Sequence, residues 1–304
     1  MTEVTLVEVG PRDGLQNESL PLDVPTRLQL IEHLHDAGFR HLEVGSFVSP
    51  QWVPQMAHTE EVLAGLSNRA FNSIALVPNS TGLKRALETN IRTIAVFTAA
   101  SESFCQRNIN CSMQESLERF QPVIQTALEN GLQVRGYVSC LIACPYEGET
   151  DVSQVTRMAA ALLEMGCYEV SLGDTIGAGT AREIEARLKT LLTSLPADNL
   201  ALHLHDTRGQ AVSAIDRSLD LDIRTFDTSI AGLGGCPYAR GASGNVATED
   251  VVYLLERNGY RTGLSMDQLA RTGHWISQQL GRPYHARAGL AHYNMQSLQT
   301  GKQP

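Results

Sequence analysis

The chain has 304 residues, of which 42% are hydrophobic, and a net charge of −9. That is enough apolar mass for one large core or two small ones. The acidic balance argues against a nucleic-acid binder, since neutralising phosphates takes an excess of Lys and Arg, and no apolar run approaches a membrane span.

In chain order, short β-like runs alternate with amphipathic stretches. Strands are expected near Thr5–Gly10, His41–Gly45, Phe71–Val77, Thr93–Ala99, Gln133–Cys140, Tyr168–Asp174, Leu200–Asp206 and Thr225–Ala231. Between them, Thr26–Ala37 carries apolar residues at Leu28, Ile31 and Leu34, with Gly38 where a helix would stop. Met113–Asn130, Val152–Glu164, Ala181–Thr193 and Val246–Leu255 read the same way, and Met266–Gln279 is the clearest helix beyond. Repeated β-α units of this kind fit a (β/α)8 TIM barrel. A doubly wound open sheet is the alternative, but no G-x-G-x-x-G follows the first strand. No Pro/Gly/Ser-rich linker divides the chain, so a single domain is expected over 1–304, with the barrel at about 4–258 and a C-terminal helical extension at about 259–304.

In a barrel of this type, chemistry collects at the C-terminal strand ends. The first strand runs into Gly10-Pro11-Arg12-Asp13-Gly14-Leu15-Gln16-Asn17-Glu18, where Asp13 offers a hard oxygen to a metal and Arg12 a cation beside it. A solvated Arg–Asp surface pair is the plainer alternative. Glu43, on a strand, is costly to bury unless paired, and Arg12 is its natural partner. Ser46 follows three residues on, and the sixth strand ends at Asp174. His203 and His205 stand one residue apart at the end of an apolar strand, so both imidazoles face one way. A hydrogen-bonded core pair is the alternative to a half-built metal site.

After the eighth strand comes a glycine-rich loop, residues 232–244, carrying Cys236, which reads as a mobile lid. Asn245 next to it is either a metal ligand or a helix N-cap. Asp13, His203, His205 and Asn245 together give two oxygens and two imidazoles, a set that suits Mg²⁺, Mn²⁺ or another first-row ion. The six cysteines form no C-x-x-C pair, so thiols in a reducing, cytoplasmic setting are expected, with no signal or transit peptide.

These residues, with Ser46-Phe47-Val48-Ser49-Pro50, Trp52-Val53-Pro54-Gln55-Met56, Cys144-Pro145-Tyr146-Glu147-Gly148, Gly173-Asp174-Thr175-Ile176-Gly177 and the Cys236 loop, resemble the 3-hydroxy-3-methylglutaryl-CoA lyases. These are TIM-barrel metallolyases named for an Asp, an Arg and a Glu, and the resemblance runs through nearly the whole chain. It implies retro-Claisen cleavage of an acyl-CoA to acetyl-CoA and acetoacetate. It also implies a cation on Asp13, His203, His205 and Asn245, and Arg12 at the thioester carbonyl. Further implied roles are a base in Asp13 or His203, support from Glu43 and Asp174, substrate contacts from Gln16, Ser46, Asn108 and Ser171, and Cys236 as an acid. Arg107 is implied as a partner for a CoA phosphate, and a homodimer is expected. Arg208 stands where the family usually has an aromatic Tyr, so a longer branched 3-hydroxyglutaryl-CoA is a second candidate substrate. Related condensing synthases and aldolases are the rival reading, but neither shares the Cys236 loop.

Overall fold

Strands covered by helices on one side and closed on themselves on the other are buried on both faces. That is the pattern here: the sixth strand is buried throughout and the fourth nearly so. The structure, a computed structural model, describes residues 2–66, 70–235 and 244–299. Eight parallel strands form a closed barrel: β1 (Thr5–Glu8), β2 (His41–Ser46), β3 (Asn72–Leu76), β4 (Thr93–Ala99), β5 (Gln133–Ser139), β6 (Glu169–Asp174), β7 (Leu200–Leu204) and β8 (Thr225–Thr228). Each pairs with the next in sequence, and β8 closes on β1 with Thr225 opposite Thr5 and Thr228 opposite Glu8. The fold is the expected TIM barrel.

The helices are α1 (Val24–Asp36), α2 (Thr59–Gly65), α3 (Ser80–Leu87), α4 (Glu102–Ile109), α5 (Met113–Glu129), α6 (Val152–Glu164), α7 (Ala181–Leu191), α8 (Ala211–Leu219), α9 (Thr248–Arg257), α10 (Met266–Gln279) and α11 (Arg287–Gln299). Their starts follow from capping chemistry. Asp23 accepts the Thr26 N–H at 2.9 Å, which starts α1 at Val24, two residues before the expected Thr26. Ser112 with Glu115, and Thr180 with Glu183, form capping boxes on α5 and α7. Helix α4 occupies a segment where the sequence shows no helical period: it has only eight residues and owes its start to the Ser101 cap.

Three strands stop two or three residues earlier than their apolar runs suggest. β1 ends at Glu8 because residues 10–14 wind into a π-type turn containing Pro11, with Gly14 N bonded to Val9 O at 3.1 Å. β7 ends at Leu204 and β8 at Thr228, where the chain segment around Asn245 pairs instead with the end of β7. The barrel interior is filled by Val7, Val9, Ile74, Leu76, Ala95 and Tyr137, and the larger apolar core lies between strands and helices. Among the described residues, no helix is long and apolar enough to cross a membrane.

Candidate active site

The turn after β1 projects Arg12 and Asp13 into the barrel mouth. Glycine is required at position 10, since a Cβ there would sit 2.5 Å from Glu8 Oε1. That carboxylate accepts N–H bonds from Gly10 (2.8 Å) and Ile230 (2.9 Å) and the Thr248 hydroxyl (2.6 Å), tying the turn to the loop after β8. Burial pushes the Glu8 carboxyl up to about 7 against these bonds.

Strand alternation places His203 and His205 together, ring centroids 5.4 Å apart. Ligand atoms of Asp13, His203 and His205 all lie within 4.8 Å of one another. Asn245 bridges to His205 and donates from Nδ2 to Asp13 Oδ2 at 2.8 Å. It does not cap α9, which starts at Thr248 behind Ala247. Burial, and then neighbouring His203, push His205 down to about 4, leaving its imidazole neutral at pH 7. Asp13 is held well below the usual carboxylate range: burial opposes this, but the Arg12 guanidinium and the two imidazoles outweigh it.

Arg12 is nearly buried and paired twice, to Asp13 Oδ1 and Glu43 Oε2, each at 2.7 Å. Its pairing with Glu43 is as the sequence suggests. Glu43 also accepts the Tyr137 hydroxyl at 3.3 Å, and that hydroxyl accepts from Arg135 Nη1 at 2.9 Å. Arg135 Nη2 pairs with Asp227 Oδ1 at 2.8 Å, and Asp227 Oδ2 faces His203 Nδ1 at 3.2 Å. With His203 Nε2 standing 3.8 Å from Asp13 Oδ2, these groups close a ring of buried charge across the mouth. Asp227 would be raised by burial, but Arg135 beside it and then His203 bring it down to about 2. Arg135, Tyr137 and Asp227 are absent from the residues singled out by sequence. The available signal was a charge inside an apolar strand (Val134-Arg135-Gly136, Phe226-Asp227-Thr228), which is untenable unless the charge faces a polar interior.

The cavity over this ring is walled by Gln16, Asn108 and Ser171 as well as Arg12, Asp13, His203 and His205, and on its apolar side by Leu76, Phe97, Phe104 and Val138. Ser46 and Asp174 are not brought to its wall. The Ser46 hydroxyl is buried against Leu76 O and the Val48 N–H, inside the β2 loop. The Asp174 carboxylate accepts the N–H groups of Ala178 and Gly179 at 3.0 and 2.8 Å, shaping the loop after β6. Arg107 is exposed at the end of α4, its guanidinium 4.3 Å over the Tyr146 ring. Arg208 turns away from the cavity and donates to the carbonyls of Ile176 (3.0 Å) and Gly177 (2.9 Å). Cys236 lies outside the described residues. The root of its loop is held by Glu249, which accepts the Ala231 N–H at 3.1 Å with both oxygens and the Tyr284 hydroxyl at 2.8 Å.

A divalent cation fits this donor set. His205 Nδ1 and Asn245 Oδ1 are buried with no hydrogen-bond partner among the described residues, a costly state that a cation or water would relieve. Two imidazoles with hard oxygens and no thiolate among the described donors suit a divalent cation.

The sequence and the fold recur in known proteins. The chain is 52% identical over 290 residues (95% of this chain, 97% of the relative) to the 3-hydroxy-3-isohexenylglutaryl-CoA/hydroxymethylglutaryl-CoA lyase of Pseudomonas aeruginosa. It is also 52% identical over 292 residues (96% and 97%) to the hydroxymethylglutaryl-CoA lyase of Pseudomonas mevalonii. The crystal structure of hydroxymethylglutaryl-CoA lyase from Pseudomonas aeruginosa superimposes with a TM-score of 0.93 at 52% identity, covering 95% of this chain and 97% of that one. The HMGL-like family model matches residues 3–276. With that span and these identities, the chain belongs to the HMGL-like family.

Proposed function

We propose that this protein is a carbon–carbon lyase that cleaves 3-hydroxy-3-methylglutaryl-CoA to acetyl-CoA and acetoacetate with the help of a divalent cation. The observation that carries the reading is the convergence of Asp13, His203 and His205 within 4.8 Å, with Arg12 locked beside them. Asp13, His203, His205 and Asn245 would hold the cation, which when bound lowers the pKa of the substrate's tertiary hydroxyl. Asp13 or His203 takes the hydroxyl proton. Collapse of the alkoxide breaks the adjacent carbon–carbon bond, and the electron pair passes into the thioester. Arg12 faces the developing enolate oxygen, held there by Glu43. Cys236, carried by the glycine-rich loop, protonates the enolate carbon, and loop closure excludes water. Gln16, Asn108 and Ser171 contact the substrate from the cavity wall, with Ser46 and Asp174 shaping the loops behind it. Arg107 on exposed α4 meets a CoA phosphate.

The physiological ion is Mg²⁺ or Mn²⁺. The barrel and the helices after it form one domain, the molecule works as a homodimer, and it resides in the cytoplasm, where the buried free thiols of Cys105, Cys111, Cys140, Cys144 and Cys167 stay reduced. The reaction belongs to leucine catabolism and ketone-body formation. A second substrate, a longer branched 3-hydroxyglutaryl-CoA, is supported by the apolar wall of Leu76, Phe97, Phe104 and Val138 and by the dual name of the Pseudomonas aeruginosa relative.

The test is acetoacetate release from 3-hydroxy-3-methylglutaryl-CoA by metal-stripped protein, with and without Mg²⁺ or Mn²⁺. Metal-dependent product is expected. No product with either ion, from folded protein that binds the ion, overturns the substrate assignment in favour of the longer acyl group. Turnover of Cys236→Ser at the parent rate overturns the proton-donor role.

A further inference from the structure

Asp227 has no part in the scheme above, yet few side chains in the barrel are held so firmly. It points inward from β8, opposite His203 of β7 in the strand register. Its Oδ2 accepts the Ser171 hydroxyl at 2.8 Å and faces His203 Nδ1 at 3.2 Å. Its Oδ1 is taken by Arg135 at 2.8 Å. Arg135 is itself fully buried and fixed by Glu169 (Nε to Oε1, 2.7 Å) and the Tyr137 hydroxyl. The guanidinium thus holds one carboxylate oxygen in an ion pair and leaves the other to Ser171 and the imidazole.

We infer that Asp227 is a positioning residue for the cation: it fixes the tautomer and rotation of His203. The inference rests on the reading that His203 is a cation ligand. An ionised carboxylate can only accept, so His203 must carry its proton on Nδ1. In the neutral ring, Nε2 then keeps its lone pair for the cation, and Nε2 is the atom that stands 3.8 Å from Asp13 Oδ2; of the two candidate bases, this leaves Asp13 to take the hydroxyl proton. Ser171 and Arg135 keep the carboxylate from turning away. The chain Glu169–Arg135–Asp227–His203 therefore runs from the barrel wall to the site and sets the aim of one imidazole. Partners behind metal-ligating histidines typically matter by about tenfold to a hundredfold in metal affinity. Ser171, a wall residue of the cavity, acquires a second duty in this arrangement.

A purely structural ion pair between Asp227 and Arg135 would affect stability and leave cation affinity alone, so the two accounts separate in one experiment. Mn²⁺ binding to the metal-stripped full chain is followed by the electron paramagnetic resonance signal of the free ion, for the parent, Asp227→Asn and Ser171→Ala. Asp227→Asn keeps the shape but loses the second acceptor, and is expected to weaken Mn²⁺ binding about tenfold to a hundredfold. Ser171→Ala, which loosens the same oxygen by one hydrogen bond, should weaken it by a few fold. Histidine nitrogen NMR of the metal-free parent at alkaline pH should show His203 protonated on Nδ1. Unchanged Mn²⁺ affinity in folded Asp227→Asn overturns the inference. So does an Nε2-protonated His203 in the parent, which decides the matter even if Asp227→Asn fails to fold. A parent that binds no Mn²⁺ while its His203 carries the Nδ1 proton sinks the cation reading instead and leaves the tautomer assignment standing.

Discussion

Beneath the C-terminal mouth the barrel interior carries buried charge, whereas at the opposite end the strands are tied off by backbone. The interior holds Arg12, Glu43, Arg135 and Asp227 almost wholly out of water, Arg12 paired with Glu43 and Arg135 with Asp227, the two pairs joined through the Tyr137 hydroxyl. The opposite end is closed by main-chain bonds: Val4 N to Arg261 O (3.0 Å), Arg261 N to Thr2 O (3.0 Å), Thr5 N to Arg224 O (2.8 Å) and Ser265 N to Ala37 O (2.8 Å). Gly38 fits there with φ +115° because a Cβ would meet Gly263 O at 2.4 Å. Behind these bonds sit apolar side chains such as Phe39 and Leu34, the former 1% exposed. Buried ion pairs return little net stability for the cost of dehydrating them. The mouth therefore owes its persistence to the rest of the barrel, and the two ends divide stability from chemistry.

Substitutions at the two ends should break apart accordingly. Phe39→Ala, at the closed end, is expected to cost about 3–5 kcal/mol of stability in urea unfolding while leaving kcat per folded molecule unchanged. A matching loss of kcat would erase the division. Arg12→Met, at the mouth, should lower kcat about a hundredfold to a thousandfold, roughly 3–4 kcal/mol of barrier. Steady-state kinetics with the metal saturating would read it, and parent turnover would sink the enolate role of Arg12.

Smaller effects sharpen the contrast. Burial raises the Glu249 carboxyl, at the root of the glycine-rich loop, from 4.5 to about 8 against its bonds to Tyr284 and Ala231. A carboxyl raised in the folded state favours the protonated fold. Its contribution is complete below pH 4.5 and is lost as pH climbs through about 8. The melting temperature of the parent should therefore fall over that range. Glu249→Gln should show a shallower fall, the remainder including that of Glu8, raised to about 7 by its burial. Parallel curves for parent and variant would contradict the assignment. Arg261→Ala, which removes an exposed ion pair with Glu3 at the closed end, should change stability by about 0–1 kcal/mol in the same assay.

The division also explains what the sequence exposes. His203-Leu204-His205 and Arg12-Asp13 are legible because they stand at strand ends, where a dense polar run after an apolar one has no other use. Arg135, Tyr137 and Asp227 escape notice because they sit inside strands. Reading them requires knowing which of two faces turns inward, and period-two alternation is obscured when both faces are apolar elsewhere. The π-type turn at Gly10–Gly14 has no sequence signature beyond Pro11. Ser46 and Asp174 stand at strand ends too, and their short side chains bond the loop backbone there, which no spacing in the sequence foretells.

The alternation along β7 carries one more consequence, for how such a protein tolerates change in length. His203 faces Asp227 in register, and His205 lies two residues on, so the parity of residue count within Leu200–Leu204 decides whether the imidazoles face the cavity or the helices. A single inserted residue there would turn His203 or His205 outward while leaving composition and hydrophobicity almost untouched. An insertion in an exposed helix connection such as that around Gly209 shifts no strand face. Insertions and deletions compatible with activity should therefore be confined to the connections, and the strands should behave as an inheritance of fixed length.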